Sequence, residues 1–206
     1  RSLKARANQP EFQELNKGYV TTQFYGIAAG INGSVLGGTQ DNGNIYIDFT
    51  GNTTRSGAGI YGGDGGFTEI SKTKPNIMFS TTVTTVTGSQ DSRISRSANF
   101  GSSFSNFMDT RIDGVSDGVP DCGTGFVSPL RLWENTDPND TSFGEGRLLV
   151  ATDCGLWLGT DVLNAASTAT FFHISKGTSL GGQISYIEWT SGGDIAYVGT
   201  SSGRIW

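Results

Sequence analysis

The segment Val35-Leu36-Gly37-Gly38-Thr39-Gln40-Asp41-Asn42-Gly43-Asn44-Ile45-Tyr46-Ile47 contains two short β-rich runs joined by a polar, glycine-rich turn. Glycine supplies the positive φ angles that tight turns need, and Asp and Asn side chains form hydrogen bonds with turn amides. Two apolar strands connected in this way predict an antiparallel β-hairpin.

The same pattern of apolar strand, polar turn and second strand occurs four times along the chain. The first strands fall in residues 23–31, 66–70, 126–133 and 184–189, and the second strands end at Thr39, Thr81, Thr152 and Thr200. Repetition at about 40 to 50 residues, with one longer interval, is typical of β-propeller blades. The sequence therefore predicts an all-β fold of blades with four antiparallel strands each.

The repeats also predict the organisation of the chain. Residues 12–206 would form a β-propeller segment of three to four blades, which is a partial ring, and residues 1–11 a linker or lead-in. Residues 102–125 are rich in Ser, Asp and Gly and predict a long loop inserted between blades. Because an uncovered edge strand is unfavourable, we expect the remaining blades to come from the same polypeptide or from an assembly partner.

Composition excludes two classes of partner. The chain has 31 glycines in 206 residues, and its 14 Lys and Arg against 19 Asp and Glu give a formal net charge of −5. A protein that binds nucleic acid through phosphate contacts needs a basic surface, and this sequence contains no such patch. No apolar run reaches the roughly 18 residues of a membrane helix. We therefore expect no nucleic acid partner and no membrane span.

The two cysteines, Cys122 and Cys154, allow one disulfide bond or two unpaired thiols. A zinc site would need further ligands beyond these thiolates. The single histidine, His173, lies in an apolar run, so the sequence disfavours zinc.

Four motifs carry a family resemblance. They are Thr22-Gln23-Phe24-Tyr25, the Gly37–Gly43 run GGTQDNG, the Gly62–Phe67 run GGDGGF and Phe126-Val127-Ser128-Pro129-Leu130. In this order they resemble the sortilin-like and xyloglucanase-like β-propellers, especially large secreted bacterial proteins, many from Bacteroidota that use type IX secretion. The resemblance implies four-stranded blades around a central channel and an extracellular or cell-surface location.

Asp41 and Asp64 are the candidate catalytic residues, because glycoside hydrolysis uses two carboxyl groups. The alternative is structural, since Asp in a glycine-rich turn commonly binds backbone amides. Together with Asn42, these residues are also candidates for ligand binding, and Trp157, beside the Asp153-Cys154-Gly155 turn, is a candidate for stacking on a sugar ring. The competing interpretation of the tryptophans is core packing.

A calcium site is the candidate metal centre. The predicted loop holds Asp109, Asp113, Asp117 and Asp121 at four-residue spacing. Calcium binds several carboxylate and carbonyl oxygens in turn-rich loops, whereas the alternative is a solvated acidic loop.

Two functions follow from these patterns. The first is a non-enzymatic, extracellular propeller module that binds protein or glycan, favoured because the Asp-box turns of the resembled family are degenerate here. The second is part of a glycoside hydrolase that acts on β-glucan or xyloglucan. A structural spacer without a ligand is a variant of the first.

Overall fold

The computed structural model describes residues 22–48, 53–56, 63–86, 89–109, 127–153, 155–164 and 170–206. Within these ranges the chain folds into antiparallel β-sheets with a single helical turn, α1, at Gly177–Leu180. The strands group in chain order into successive up-and-down meanders, which we call blades one to four.

Blades one and two are complete four-stranded meanders. Blade one contains β1 (Phe24–Ala29), β2 (Val35–Thr39), β3 (Gly43–Asp48) and β4 (Thr53–Ser56), and each strand is antiparallel to the next. Blade two contains β5 (Asp64–Ile70), β6 (Met78–Val86), β7 (Ser89–Ser97) and β8 (Ser105–Asp109) in the same order. One parallel bridge between Gly43 and Asp64 joins the two blades into one sheet.

Blade three repeats the same topology, and blade four shows its inner half. Blade three contains β9 (Leu130–Glu134), β10 (Gly146–Thr152), β11 (Gly155–Thr160) and β12 (Thr170–Lys176). Blade four contains β13 (Ile184–Trp189) and β14 (Ala196–Thr200), and Gly199 forms a further bridge with Ile205.

The blades lie side by side, with their first strands next to one another. β1 contacts β5, β5 contacts β9, and β9 contacts β13. Three apolar clusters fill the spaces between blades: the first lies around Leu36 and Met78, the second around Phe79 and Val150, and the third around Leu149 and Val198. The protein is therefore an all-β chain of four-stranded propeller blades, and no sheet closes on itself within the described ranges.

A close backbone contact holds blade one against blade two. A Cβ atom on Gly38 would lie 2.0 Å from the carbonyl oxygen of Gly66 and 2.6 Å from its nitrogen. Only glycine leaves room for two backbones to approach in this way. The glycine pairs in the sequence thus fix the packing of two blades as well as their turns.

The hairpins predicted from the sequence are confirmed, because all four repeats form the expected pair of strands. The loop predicted over residues 102–125 differs from the structure at its start, where β8 pairs with β7 as the fourth strand of blade two. Strand β8 alternates only briefly, so its apolar Phe107 and Met108 were not recognised as core residues. Residues 110–126, and the lead-in predicted over 1–11, lie outside the described residues.

Candidate functional site

A cavity of about 390 Å³ lies where the first strands of the four blades end. Every first strand contributes to its wall, because the equivalent ends of these strands meet at the centre of the arrangement. We call this space the axial cavity; its charged and aromatic lining residues are Glu69, Lys72, Arg131, Trp133, Glu134, Glu188 and Trp189. Its lining is mostly polar, and pockets of this size with convergent polar groups can hold a small ligand.

Two acids, Glu69 and Glu188, occupy the same register position in blades two and four, and the cation Arg131 lies between them on blade three. Glu69 pairs with Phe79 and Glu188 with Tyr197, in each case one residue before the last pair of the hairpin. Arg131 pairs with Leu149, three residues before the last pair of its hairpin. The first strands of blades two, three and four therefore place two carboxylates on either side of one guanidinium cation around the cavity. In blade one, the residue at the register position of the two acids is Ala28.

Arg131 binds both carboxylates. Its Nη1 donates to Oε1 of Glu69 at 3.0 Å, and its Nε donates to Oε1 of Glu188 at 3.1 Å. The hydroxyl of Tyr186 donates to the other oxygen of Glu188 at 3.2 Å. One guanidinium thus serves two acids, and the three side chains link blades two, three and four.

Burial separates the two acids. The side chain of Glu69 is 14% exposed, whereas that of Glu188 is 42% exposed. Burial raises the pKa of Glu69 to about 7, although the nearby Arg131 acts in the opposite direction. Because Arg131 divides its charge between two carboxylates, it does not fully compensate the desolvation of the more buried one. Near neutral pH, Glu69 therefore exchanges a proton, which is the property required of a general acid or base.

The aromatic walls are held by hydrogen bonds. The indole nitrogen of Trp133 donates to the carbonyl of Ser191 at 3.0 Å, and that of Trp189 donates to the carbonyl of Arg131 at 3.0 Å. The guanidinium of Arg147 lies 5.0 Å from the Trp133 ring centroid. With their polar nitrogens satisfied, both tryptophans offer the cavity mainly apolar ring surface.

Glu134, at the end of β9, anchors the turn after β5. Its carboxylate accepts hydrogen bonds from the backbone nitrogens of Lys72 at 2.7 Å and Thr73 at 3.2 Å, and from the hydroxyl of Ser71 at 2.5 Å. Because these donors all belong to the turn after β5, the Glu134 carboxylate joins blades two and three at the rim of the cavity.

The acids predicted from the turn motifs lie at the opposite end of the strands. Oδ1 of Asp64 accepts a hydrogen bond from the backbone nitrogen of Asp41 at 2.5 Å, and Asp41 has a φ of 61°. The side-chain nitrogen of Asn42 donates to the carbonyl of Gln40 at 3.0 Å. Asp64 therefore binds a backbone amide, as in the structural alternative raised by the sequence. Burial and the charges of Asp64 and Asp41 raise the pKa of the nearby Tyr25.

The interpretation of Trp157 as a sugar-stacking residue is wrong. Its side chain is 4% exposed and belongs to the apolar cluster between blades two and three. Its indole nitrogen donates to the hydroxyl of Thr152 at 3.0 Å, and its ring stacks on His173 at a centroid distance of 4.5 Å. Alternation along β11 turns this residue into the core despite the adjacent polar turn.

Several predicted sites lie outside the described residues. This applies to Asp113, Asp117 and Asp121 of the calcium hypothesis and to both Cys122 and Cys154, while only the backbone of Asp109 is described, as the last residue of β8. In the part of the chain that the structure covers, no group of three or more His, Cys, Asp or Glu side chains is arranged to hold a metal ion. The same part contains no helix long and apolar enough to cross a membrane.

Sequence reasoning missed Glu69, Arg131 and Glu188. Part of the signal was present in the repeats, since aligning the ends of the first strands brings Glu69 and Glu188 into a single column. Arg131 lies two residues earlier than that column in its own strand. A carboxylate that recurs at an otherwise apolar strand position in two blades indicates a shared environment.

Comparison with known proteins gives a likeness in structure but none in sequence. No protein-family model matches the chain, and no curated protein matches it. The crystal structure of the computationally designed Ika4 protein aligns with a TM-score of 0.50 at 11% identity, over 95% of this chain and 97% of that one. The GH74 xyloglucanase from Xanthomonas campestris aligns with a TM-score of 0.48 at 15% identity, over 73% of this chain. The aligned part spans 23% of the xyloglucanase's length.

Proposed function

We propose that this protein is a non-enzymatic β-propeller module that binds a glycan in the axial cavity, at the cell surface or in the extracellular space. The observation that carries the proposal is the sharing of Arg131 between Glu69 and Glu188 inside that cavity. The location, the sortilin-like kinship and the type IX secretion route are proposals that rest on the sequence resemblance alone.

The chemistry of the cavity suits a neutral, polyhydroxylated ligand. Its lining holds three carboxylates, on Glu69, Glu134 and Glu188, against the two cations of Lys72 and Arg131. Carboxylate oxygens accept hydrogen bonds, and hydroxyl groups of a sugar can supply them. The ring surfaces of Trp133 and Trp189 complete the site with apolar contact area.

Binding is favoured over hydrolysis because Arg131 engages both acids. A retaining glycosidase needs a carboxylate free to attack the sugar, and an inverting enzyme needs one free to activate water. One observation nevertheless favours a glycoside hydrolase as the second candidate: Glu69, with its pKa of about 7, would serve as a general acid, with Glu188 as the second carboxyl group.

Calorimetric titration with xyloglucan and mixed-linkage β-glucan oligosaccharides tests the proposal. We expect saturable binding to the wild type and at least about tenfold weaker binding to Glu188→Gln, which loses a charged acceptor. Glu145→Gln is the matched control, because Glu145 also pairs with an arginine, Arg147, but does not line the cavity. If the wild type bound none of these glycans, or if the two substitutions weakened glycan binding equally, glycan binding in the cavity would be contradicted.

Release of reducing sugar from the same polysaccharides separates binding from hydrolysis. We expect none. Turnover that disappears in Glu69→Gln would establish the hydrolase instead. Turnover that disappears in Asp41→Asn or Asp64→Asn would instead identify the acids of the turns as the catalytic groups.

Calcium binding remains a separate proposal, and calorimetric titration of the intact chain with calcium tests it. The absence of heat at millimolar calcium would remove Asp109, Asp113, Asp117 and Asp121 as ligands.

A further inference from the structure

A second cavity lies at the opposite end of the first strands, where β9 and β13 begin. Its volume is about 300 Å³, and it shares no described lining residue with the axial cavity. Blade two contributes Phe67, blade three contributes residues 127–129 and 151–153, and blade four contributes residues 183–185 and Ser201. We call this space the basal cavity. Its walls are formed by three blades that lie side by side in the structure.

Irregular strand pairing shapes the wall of the basal cavity. The regular register of β5 is interrupted between residues 65 and 68, and that of β13 between residues 184 and 186. Such β-bulges change the direction of a side chain and are over-represented next to functional sites. Phe67 and Ser185 lie within the two interruptions, and both line the cavity. The bulges therefore bring one aromatic ring and one hydroxyl group to its wall.

The basal cavity combines apolar walls with one acid. Phe67, Val127 and Pro129 provide apolar surface, and Asp153 is the one charged side chain among the described lining residues. The side-chain nitrogen of Gln183 donates to Oδ1 of Asp153 at 3.2 Å, so the carboxylate has a neutral partner. No salt bridge between described residues includes Asp153. Its negative charge therefore remains for a positively charged ligand.

A buried hydroxyl group adds an unused hydrogen-bonding site. Ser128 lines the cavity and is 2% exposed, and its Oγ has no hydrogen-bond partner within the described ranges. The backbone nitrogen of Ala151 donates to the carbonyl of Pro129 at 2.9 Å, so Ser128 lies near the turn that carries Asp153. A buried polar group without a partner is unfavourable, and a serine hydroxyl both donates and accepts. A ligand with hydrogen-bond donors would supply the missing partner.

We propose that the basal cavity binds the side chain of a lysine from a partner protein. The methylene groups of lysine would pack along the apolar wall, and its ammonium group would donate to Asp153 and Ser128. Lysine suits the cavity better than arginine, because Gln183 already binds one oxygen of the carboxylate. A guanidinium binds a carboxylate most strongly through both oxygens, whereas an ammonium group needs only one. This site is independent of glycan binding in the axial cavity.

A nuclear magnetic resonance titration of the full chain with capped tripeptides tests the proposal. The peptides carry lysine, Nε-acetyl-lysine or arginine between two glycines. We expect the lysine peptide to shift the side-chain amide signals of Gln183 and to bind at least about tenfold more tightly than the acetyl-lysine peptide, because acetylation removes the charge. The arginine peptide should bind more weakly than the lysine peptide.

The variant Asp153→Asn tests the role of the carboxylate. It should weaken binding of the lysine peptide by about tenfold and bind the lysine and acetyl-lysine peptides alike. Asp194→Asn is the matched control, because Asp194 also accepts a hydrogen bond from a neutral side chain, that of Thr190 at 3.2 Å, but does not line the cavity. It should keep the wild-type affinity. If Asp153→Asn fails to fold, the comparison of the two lysine peptides on the wild type decides the question.

Four results would overturn the proposal. The first is a wild type that binds no lysine peptide, or that binds the lysine and acetyl-lysine peptides equally. The second is equal weakening of binding by Asp153→Asn and Asp194→Asn. The third is tighter binding of the arginine peptide than of the lysine peptide. The fourth is tighter binding of butylamine than of the lysine peptide, which would assign the cavity to a free amine instead of a partner's lysine.

Discussion

The two ends of the first strands use acids in different ways. Where blades one and two begin to pair, Asp64 binds the backbone amide of Asp41, and the glycine contact between Gly38 and Gly66 brings the backbones together. At the axial cavity, Glu69 and Glu188 bind one shared cation, Arg131. An acid that binds a backbone amide fixes a turn. Two acids that share one cation are only partly neutralised, so their charge and their ability to bind a proton remain available to a ligand.

The largest effect is expected at the glycine contact. In Gly38→Ala, the new methyl group would meet three backbone atoms of Gly65 and Gly66 within 2.7 Å. Backbone atoms cannot move aside as a flexible side chain can, so we expect the free energy of unfolding to fall by about 3 kcal/mol or more. Chemical denaturation measures this change.

A strand glycine without such a contact provides the control. A Cβ atom on Gly199 would meet nothing closer than 3.8 Å. Gly199→Ala should therefore change the stability by less than about 1 kcal/mol. Equal losses in the two variants would show that the close approach of the blades is not what requires glycine at Gly38.

The second-largest effect is expected in the pH dependence of the stability, through Glu69 in the axial cavity. Glu69 holds its proton up to a pKa of about 7 in the folded chain, against 4.5 for an ordinary glutamate. Between these values the folded state binds more protons than the unfolded state, so the Glu69 contribution lowers stability as pH rises. Glu69→Gln cannot ionise, and its stability relative to the wild type should increase by about 3 kcal/mol between pH 4 and pH 8.

Asp140 gives a comparison of opposite sign. Hydrogen bonds from Ser142 lower the pKa of this exposed carboxyl group, so its contribution is lost only at acidic pH. The free energy of unfolding of Asp140→Asn should therefore differ from that of the wild type above that acidic range. The difference should shrink as the pH falls. Urea denaturation at several pH values measures both variants. A stability difference for Glu69→Gln that stays constant from pH 4 to pH 8 would mean that Glu69 titrates as an exposed acid does.

The fold was predictable because its signals are local. Each hairpin joins nearby strands through glycine and Asp turns, and the four repeats show the blades directly. The axial cavity was not recognised, because Glu69 and Glu188 are 119 residues apart in sequence and meet through Arg131 only after three blades pack. Trp157 was misjudged for a related reason: the polar turn beside it is local, whereas the core that buries it comes from another blade.

The smallest effect sharpens the interpretation of the turn acids. Removing the charge in Asp64→Asn weakens the acceptor for the Asp41 amide, and we expect a loss of about 1 kcal/mol in stability. The same change removes a negative charge near Tyr25 and should lower the pKa of that phenol towards its ordinary value.

Asp41→Asn provides the matched comparison, because Asp41 contributes less than Asp64 to the raised pKa of Tyr25 and its backbone amide remains in place. It should lower the pKa of Tyr25 by a smaller amount and leave the stability nearly unchanged. Ultraviolet titration of difference spectra follows the phenol in each variant. If Asp41→Asn destabilised the protein as much as Asp64→Asn, the Asp41 side chain itself would be needed in the turn, and the contrast between a turn acid and a cavity acid would rest on Asp64 alone.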